Sequence, residues 1–258
     1  MSESTASETP AAGSHAPDEP VADSEVDAVL RVDGLCGGYG QSQVLFDVTF
    51  EVPTRGAVSI VGLNGAGKTT LLRHMIGELP RTAGRVVFDG QDIPASTRPS
   101  ALTRRGVAYV PQECPVFSGL TVRDNLTVGL LATPRRRRPS IDLALDVFPK
   151  LAERLDQVAG TMSGGERKML AIGRALLTNP RLLIMDEPTE GVWAGVVHEI
   201  GERLAELTAQ MALLLVEQNI GLVLRVSDRL IVLERGTVAL VAARDDVTED
   251  VLVPFLTP

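Results

Sequence analysis

The sequence predicts an α/β fold with a mostly helical insertion, and three observations support this prediction. From about residue 28, apolar strand-like runs alternate with helix-like segments. Residues 62–69 carry the pattern G-x-x-x-x-G-K-T between an apolar run and a helix-like segment, which is the strand–loop–helix setting of a phosphate-binding loop. Residues from about 121 to 178 are mainly helical in pattern, with a loop at Thr133–Ser140. This order of elements is typical of a layered α/β core.

The N-terminal half of the core is predicted to be rich in strands. Apolar and polar residues alternate in Leu45–Val52, and this period of two is typical of a strand with one buried face. Arg85–Phe88 is followed by Asp89-Gly90, which favours a strand that ends in a tight turn. The predicted strands are Ala28–Val32, Leu45–Val52, Ala57–Val61, Arg85–Phe88 and Gly106–Val110, and a helix is predicted over Thr70–Met75.

The C-terminal half is predicted to supply the centre of the sheet. Arg181–Met185 and Ala212–Val216 are apolar enough to be parallel strands covered on both faces. Leu230–Leu233 and Thr237–Val241 flank the turn-like Glu234-Arg235-Gly236, which predicts a closing hairpin.

Composition and charge limit the classes of partner. The 258 residues carry a net charge of −8, and residues 1–27 contain seven acidic residues with no Lys or Arg. We therefore expect a disordered acidic tail at 1–27 and a single folded domain at 28–258. Because that domain is close to neutral, the sequence excludes the broad basic surface of a nucleic-acid-binding protein.

The cellular compartment is predicted from what the chain lacks. The longest aliphatic runs, such as Met211–Val216, are far shorter than the roughly 20 residues that cross a bilayer. The N-terminus has neither the basic nor the apolar region of a signal peptide. Two cysteines, Cys36 and Cys114, favour a reducing compartment over a disulfide framework. We therefore expect the protein in the cytoplasm.

The predicted phosphate-binding loop has the chemistry to hold a nucleotide. Gly62, Gly65 and Gly67 permit backbone angles that let successive N–H groups converge on phosphate oxygens at a helix N-terminus. Lys68 supplies a positive charge to the terminal phosphates, and the hydroxyl of Thr69 is suited to Mg²⁺. The remaining residues of the predicted nucleotide-binding loop are Asn64, Ala66 and Thr70.

Two adjacent acids end the apolar strand 182–186. A strand-end carboxylate opposite a phosphate-binding loop can hold Mg²⁺, so we assign Asp186 to the metal. The side chain of Glu187 projects in a different direction from that of Asp186, and Glu187 is predicted to accept a proton from the attacking water. On its own, a strand end with solvated acids would be the simpler interpretation, but the phosphate-binding loop favours the catalytic one.

A second candidate anion site lies at the start of the helix-like segment Arg167–Leu177. Ser163 and Glu166 form an S-x-x-E capping box, which predicts a helix start on structural grounds alone. Glycine loses more conformational entropy on folding than any other residue, so Gly164 and Gly165 would be unfavourable if they only formed a helix cap. Their presence indicates that another molecule approaches the backbone closely.

The sequence Met-Ser-Gly-Gly-Glu at 162–166, shortly before the acid pair, resembles the signature of ATP-binding cassette (ABC) ATPases. The order of phosphate-binding loop, Gln-containing loop, signature and acid pair is also that of the family. This resemblance covers residues 28 to about 245. It implies a P-loop NTPase fold with an antiparallel β subdomain and a helical subdomain at about 113–165. It also implies ATP and Mg²⁺ as cofactors.

The resemblance implies roles for further residues. Tyr39 matches the aromatic residue that stacks on adenine. Gln112 matches the Gln that senses Mg²⁺ and links the site to the helical lobe. Without the resemblance, the simpler interpretation of Gln112 would be a solvated side chain after a strand. Family members form head-to-tail dimers, so Ser163, Gly164 and Gly165 would contact ATP bound to the partner. The implied catalytic residues are Glu187, Lys68 and Gln218.

The sequence departs from the family pattern at Gln218, at Trp193 and at the pair Cys114-Pro115. Gln218 stands where a His usually contacts the γ-phosphate, and Trp193 stands where an Asp usually ends a small-residue loop. Gln can donate a hydrogen bond but does not titrate near pH 7. For Trp193 we favour packing at the dimer face. Cys114-Pro115 breaks the pattern expected after Gln112, in a loop close to the membrane partner.

Val-Glu-Gln-Asn at 216–219 and Pro-Thr-Glu-Gly at 188–191 resemble an ATPase subunit of branched-chain amino acid importers, a group that includes urea and short-chain amide importers. Residues 39–42 and 110–112 favour the urea and amide branch. The implied partners are transmembrane permease subunits, a second ATPase subunit (a sister chain or this chain itself) and, indirectly, an extracytoplasmic solute-binding protein. No nucleic acid is implied. The expected location is the cytoplasmic face of the cell membrane. The alternative is a soluble non-transport ABC ATPase in DNA repair, chromosome structure or translation.

Overall fold

The computed structural model describes residues 27–133, 136 and 138–256. All but the last residue of the predicted acidic tail lies outside these described residues. The chain forms two β-sheets and eight α-helices within the described residues. None of these helices has the length and apolarity needed to cross a membrane.

The first sheet is antiparallel and has four strands in the order β2-β1-β4-β5. Its strands are β1 (Ala28–Tyr39), β2 (Ser42–Pro53), β4 (Ala83–Phe88) and β5 (Gln91–Asp92). The strand β1 continues well past the predicted end at Val32, with shifts in register after that residue. The end of β1 is rich in glycine, which has a low preference for strands. Backbone hydrogen bonds to β2 hold this end in the strand conformation.

The second sheet has six strands in the order β10-β9-β3-β8-β7-β6 and is parallel except for β10. All residues of β7 and β8 are buried, as continuous apolar runs in a parallel sheet should be. The strands are β3 (Gly56–Val61), β6 (Val107–Val110), β7 (Leu182–Asp186), β8 (Ala212–Val216), β9 (Arg229–Glu234) and β10 (Thr237–Ala243).

The helices cover the sheets and form the region between β6 and β7. In that region Leu126, Phe148, Leu151 and Leu170 are completely buried and belong to one apolar cluster. The helices are α1 (Lys68–Met75), α2 (Pro99–Arg105), α3 (Val122–Leu131), α4 (Asp142–Val147), α5 (Gly164–Leu176), α6 (Ala194–Thr208), α7 (Ile220–Val226) and α8 (Glu249–Leu256). The domain limits at residues 28, 113 and 165 stay predictions.

The carboxyl ends of β3, β7 and β8 meet at one edge of the parallel sheet. Val216 of β8 lies in register with Ile60 on one side and with Asp186 on the other. The loops that follow these three strands therefore lie side by side, at the edge where open α/β sheets bind their ligands.

Candidate functional site

The loop between β3 and α1 has the backbone conformation that the sequence predicts. Gly62, Gly65 and Gly67 have φ values of 155°, 84° and 105°, which side chains with a Cβ rarely adopt. A Cβ at Gly62 would also overlap the carbonyl oxygen of Leu233, whereas Gly65 faces open space. The loop is thus closed on its inner side and accessible on its outer side.

Lys68 lies inside this loop with only 5% of its side chain exposed. Its Nζ donates to the carbonyl oxygens of Gly62 at 2.8 Å and Leu63 at 3.1 Å, and lies 3.3 Å from Glu187 Oε1. The ammonium group thereby connects the phosphate-binding loop to the predicted base. Three oxygen partners compensate its charge in a position with little access to water.

Glu187 lies at the centre of the hydrogen-bond network. Its backbone has a φ of 44°, a left-handed conformation that is uncommon for a residue with a side chain. Besides Lys68, Oε1 accepts from Gln218 Nε2 at 2.7 Å, and Oε2 accepts from Gln112 Nε2 at 3.3 Å. The strained backbone is stabilised by a bond from its own N–H to the carbonyl oxygen of Val216 at 2.8 Å.

Gln218 and Gln112 connect this carboxylate to the neighbouring loops. Gln218 Nε2 also donates to Asn64 Oδ1 at 2.7 Å, which links the loop after β8 to the phosphate-binding loop. Gln112 Nε2 also donates to Glu190 Oε2 at 2.8 Å, a shorter bond than the one to Glu187. The structure therefore brings Asn64, Lys68, Gln112, Glu187 and Gln218 into one cluster.

Asp186 has the features expected of a cation ligand. Both carboxylate oxygens are buried, and among the described residues neither meets a donor at regular hydrogen-bond geometry, although the Thr69 hydroxyl lies close enough to interact. Burial raises the pKa of this carboxyl, while the nearby Thr69 hydroxyl opposes that rise. The described residues contain no group of three His, Cys, Asp or Glu side chains that could hold a metal alone. Asp186 and Thr69 fit Mg²⁺ that takes its other oxygens from phosphates and water, as Mg²⁺ commonly does.

Glu217 is 3% exposed, and no sequence motif had indicated a role for it. Its Oε1 accepts from the N–H of Thr189 at 3.0 Å and from the Thr189 hydroxyl. Its Oε2 accepts from the N–H groups of Gln218 at 2.8 Å and Asn219 at 3.1 Å. One carboxylate therefore holds the loop after Glu187 against the loop that carries Gln218. The position of Glu217 directly after a buried strand could have indicated a role at the site. Its hydrogen-bond partners could not be predicted from the sequence.

Tyr39 lies at the edge of the phosphate-binding loop. It is 44% exposed, and its hydroxyl accepts a hydrogen bond from Thr70 Oγ1 at 3.2 Å. The stacking of this ring on adenine stays a prediction.

The predicted second anion site has the expected helix start. Ser163 and Glu166 make the reciprocal capping box at the start of α5. A Cβ at Gly164 would meet open space, but a Cβ at Gly165 would approach Val196 Cγ1 at 2.8 Å. Gly165 is therefore required by packing against Val196, a contact between distant positions that no local pattern indicates. Gly164 remains accessible to another molecule. Within the described part of the chain, no hydrogen bond joins these residues to the phosphate-binding loop.

Comparison with known proteins decides the family. Residues 45–190 match the family model described as ABC transporter. The chain belongs to the ABC transporter family. Its ABC ATPase relatives include BraG of Pseudomonas aeruginosa, a high-affinity branched-chain amino acid transport ATP-binding protein. The two are 40% identical over 217 residues, which cover 82% of this chain and 91% of BraG.

Two further proteins are similar to this ABC ATPase over most of its length. LivF of Archaeoglobus fulgidus, named a probable branched-chain amino acid transport ATP-binding protein, is 36% identical over 224 residues, 86% of this chain and 94% of LivF. The solved structure of the ADP conformation of an ATP-binding cassette of an ABC transporter has a TM-score of 0.73 at 29% identity. That likeness covers 89% of this chain and 95% of the other.

These comparisons confirm the predicted family and the predicted fold. The protein is an ABC transporter ATPase that binds nucleotide.

Proposed function

We propose that this ATPase uses Mg²⁺·ATP to drive the uptake of branched-chain amino acids. The names of BraG and LivF support this substrate class. We place the chain on the cytoplasmic face of the membrane, bound to permease subunits and paired head-to-tail with a second ATPase chain. An extracytoplasmic solute-binding protein would deliver the substrate to the permease and would have no contact with this chain.

The observation that carries the proposal is the cluster around Glu187. In the structure, Lys68 and Gln218 both donate to Oε1 of its carboxylate and Gln112 donates to Oε2, so the base is held in place and both acceptor sites of Oε1 are occupied. Phosphates of ATP would attract the Lys68 ammonium away from Glu187. Oε1 would then have a free lone pair for the proton of an attacking water.

Asp186 and Thr69 would hold Mg²⁺, which supplies charge neutralisation at the phosphate oxygens. The converging backbone N–H groups of the loop and the ammonium of Lys68 would stabilise the negative charge that develops during transfer. Gln218 keeps Glu187 aligned and reaches Asn64 in the same loop, so it orients the base relative to the phosphates.

A largely apolar groove is lined by residues on both sides of Gln112 in the sequence, and we propose it as the docking site of the permease. Its lining includes Pro115 and Phe117, Val128 of α3, Ala171 and Ala175 of α5, residues of β6 and the charged Arg174. A permease segment in this groove could move the Gln112 loop and thereby alter the contact between Gln112 and Glu187.

The test is transport in proteoliposomes with the permease subunits that copurify with this chain and with the matching solute-binding protein. We expect Mg²⁺·ATP-dependent uptake of leucine, isoleucine or valine that Glu187→Gln abolishes. Uptake of urea or acetamide instead would support the second candidate, which is favoured by the resemblance of residues 39–42 and 110–112 to the urea and amide branch. ATP hydrolysis without stimulation by any of these substrates would refute both.

A further inference from the structure

A largely apolar cavity of about 370 Å³ lies between the phosphate-binding loop and α8. Its apolar lining comes from Leu63 and Ala66 of that loop, Leu233 of β9, and Pro254 with Phe255 of α8. The volume falls within the range of about 300–1,000 Å³ that is usual for small-molecule sites. In such sites a few polar groups fix the orientation of the ligand, so the polar lining indicates which ligand fits.

Two charged side chains of opposite sign, Glu234 and Arg235, also line the cavity. Both residues are exposed, and within the described part of the chain neither side chain forms an ion pair or a hydrogen bond. The fold therefore leaves one anion and one cation next to each other beside an apolar space. Because neither charge has a partner in the fold, both are available to a ligand.

The turn that carries these charges is fixed against the phosphate-binding loop. The N–H of Gly236 donates to the carbonyl oxygen of Ala66 at 2.9 Å. A Cβ at Gly236 would overlap the carbonyl oxygen of Val44, so the turn is closely packed on that side. Arg235 and Gly236 have φ values of 47° and 79°, which are typical of a two-residue type I′ hairpin turn. The backbone that carries the two charges therefore has little freedom to move.

The pair of charges selects among the ligands that an apolar cavity can hold. A fatty acid would bring its carboxylate beside Glu234, and an apolar amine would bring its ammonium beside Arg235, so each would meet a like charge. An α-amino acid carries its ammonium and its carboxylate on the same carbon, so both of its charges find an opposite charge here. An aliphatic side chain on that carbon matches the apolar lining formed by Leu63, Leu233 and Phe255.

We propose that this cavity is a regulatory site for an aliphatic α-amino acid such as leucine. Arg235 binds the carboxylate of the ligand, Glu234 binds its ammonium, and its side chain lies between the phosphate-binding loop and α8. The regulatory role rests on the proposed function, because an importer of branched-chain amino acids raises the concentration of this class of molecule in the cytoplasm. The bound amino acid slows further uptake.

The cavity is connected to the nucleotide site through the phosphate-binding loop. Asn64 and Gly65 line both the cavity and the space around Lys68 and Glu187. Lys68 Nζ donates to the carbonyl oxygen of Leu63 at 3.1 Å, and phosphates would draw this ammonium away. A ligand that fits the cavity stabilises the loop with this bond intact, so it opposes the rearrangement that ATP requires. Leucine and ATP therefore weaken each other's binding by the same factor.

Binding to the full-length chain is measured by calorimetry with L-leucine and with two analogues that each lack one charge. Leucinamide lacks the carboxylate, and 4-methylpentanoate lacks the ammonium. We expect leucine to bind at least about threefold more tightly than either analogue, a factor in the range of an exposed ion pair. Arg235→Gln should remove the preference for leucine over leucinamide, and Glu234→Gln should remove the preference over 4-methylpentanoate. The exposed Arg104→Gln and Glu202→Gln are the matched controls and should keep both preferences.

The regulatory role is tested in the Glu187→Gln chain, which should bind ATP without hydrolysing it. Mg²⁺·ATP should weaken leucine binding by at least about fivefold, the lower end of ordinary allosteric coupling. In the wild-type chain, leucine should raise the apparent KM for ATP, and this effect should be lost in Arg235→Gln. Leucine affinity that does not change with Mg²⁺·ATP would overturn the regulatory role.

The outcomes separate this inference from the proposed function. Absence of saturable leucine binding, or an Arg235→Gln chain that still prefers leucine to leucinamide, overturns the site. Uptake of branched-chain amino acids together with either result leaves the proposed function intact. Leucine binding that depends on Arg235 and Glu234, in a chain whose complex transports only urea or amides, supports the site and refutes the proposed substrate class.

Discussion

The side-chain amide of Gln218 donates a 2.7 Å hydrogen bond to Glu187 Oε1. The same nitrogen donates at 2.7 Å to Asn64 Oδ1, so one amide holds the predicted base against the phosphate-binding loop. An amide does not titrate, so it makes these bonds at any physiological pH. A histidine at this position would make them in a pH-dependent way.

Substitution of Gln218 tests this relationship. Gln218→Ala should lower the ATPase turnover number by about tenfold to a hundredfold, because the base loses its alignment. Gln218→His should be tolerated but should acquire a pH dependence between pH 6 and 8, since a neutral imidazole has one N–H for two acceptors. The measurement is turnover against pH at saturating Mg²⁺·ATP. Wild-type turnover in Gln218→Ala, or complete inactivity of Gln218→His, would contradict this role.

Lys68→Ala should abolish nucleotide binding or turnover. The variant has no ammonium group to bind the negatively charged phosphates. Glu187 also loses its buried ion-pair partner, which lies 3.3 Å away in the wild type. An uncompensated buried carboxylate costs several kcal/mol, so the nucleotide-free variant should also melt at a lower temperature. Binding of a fluorescent ATP analogue, ATPase rate and thermal unfolding are measured beside Lys150→Ala, which removes an exposed ammonium paired with Glu199. ATPase rates at the wild-type level in Lys68→Ala would reject the assignment.

Asp186→Asn should stabilise the nucleotide-free protein while abolishing Mg²⁺-dependent turnover. Burial raises the pKa of Asp186, so ionisation of this group at neutral pH works against folding. The amide removes that cost. The melting temperature of Asp186→Asn should exceed that of the wild type by the largest amount above the raised pKa. The difference should shrink as the pH falls toward the ordinary pKa of about 3.9. The exposed Asp146→Asn is the control, and a lower melting temperature for Asp186→Asn at pH 7.5 would show that this carboxylate has a structural partner.

Glu217→Gln should lower both stability and turnover. Each oxygen of Glu217 accepts two hydrogen bonds, and an amide must present N–H groups to one of these pairs of donors. Leaving such donors unsatisfied costs about 1–3 kcal/mol each. Because the carboxylate positions the Gln218 loop and does not face the phosphates, we expect kcat to fall more than KM for ATP rises. The exposed Glu202→Gln is the matched control. A loss of stability without any change in kcat would reduce Glu217 to a structural residue.

The two cysteines should differ sharply in reactivity. Cys114 is 3% exposed, and burial raises the pKa of its thiol to about 11, so almost no thiolate is present at pH 8. Cys36 is only partly buried. Titration with a thiol reagent at pH 8 should therefore give one fast thiol per native chain and two after denaturation. Cys36→Ser should remove the fast phase, and a fast phase that persists in that variant would show that Cys114 is accessible.

Local chemistry made the nucleotide loop and the central strands predictable. Ala212–Val216 is a strand with the predicted limits because a continuous apolar run between turns has few alternatives to a buried parallel strand. The phosphate-binding loop was predictable because its glycines are needed for positive φ values that the loop itself requires. The capping box at Ser163 and Glu166 is likewise a contact between residues three positions apart.

Contacts between distant parts of the chain were decided by the tertiary structure alone. Glu217 acquires its role from Thr189, and Gly165 acquires its packing reason from Val196. The sequence by itself determined the family and the phosphate-binding loop, and it predicted a base and a metal-binding carboxylate at a strand end. Only the strand order, which places β8 between β3 and β7, decided that Gln218 reaches both Asn64 and Glu187. Strand order depends on burial of the whole sheet, and no local pattern encodes it.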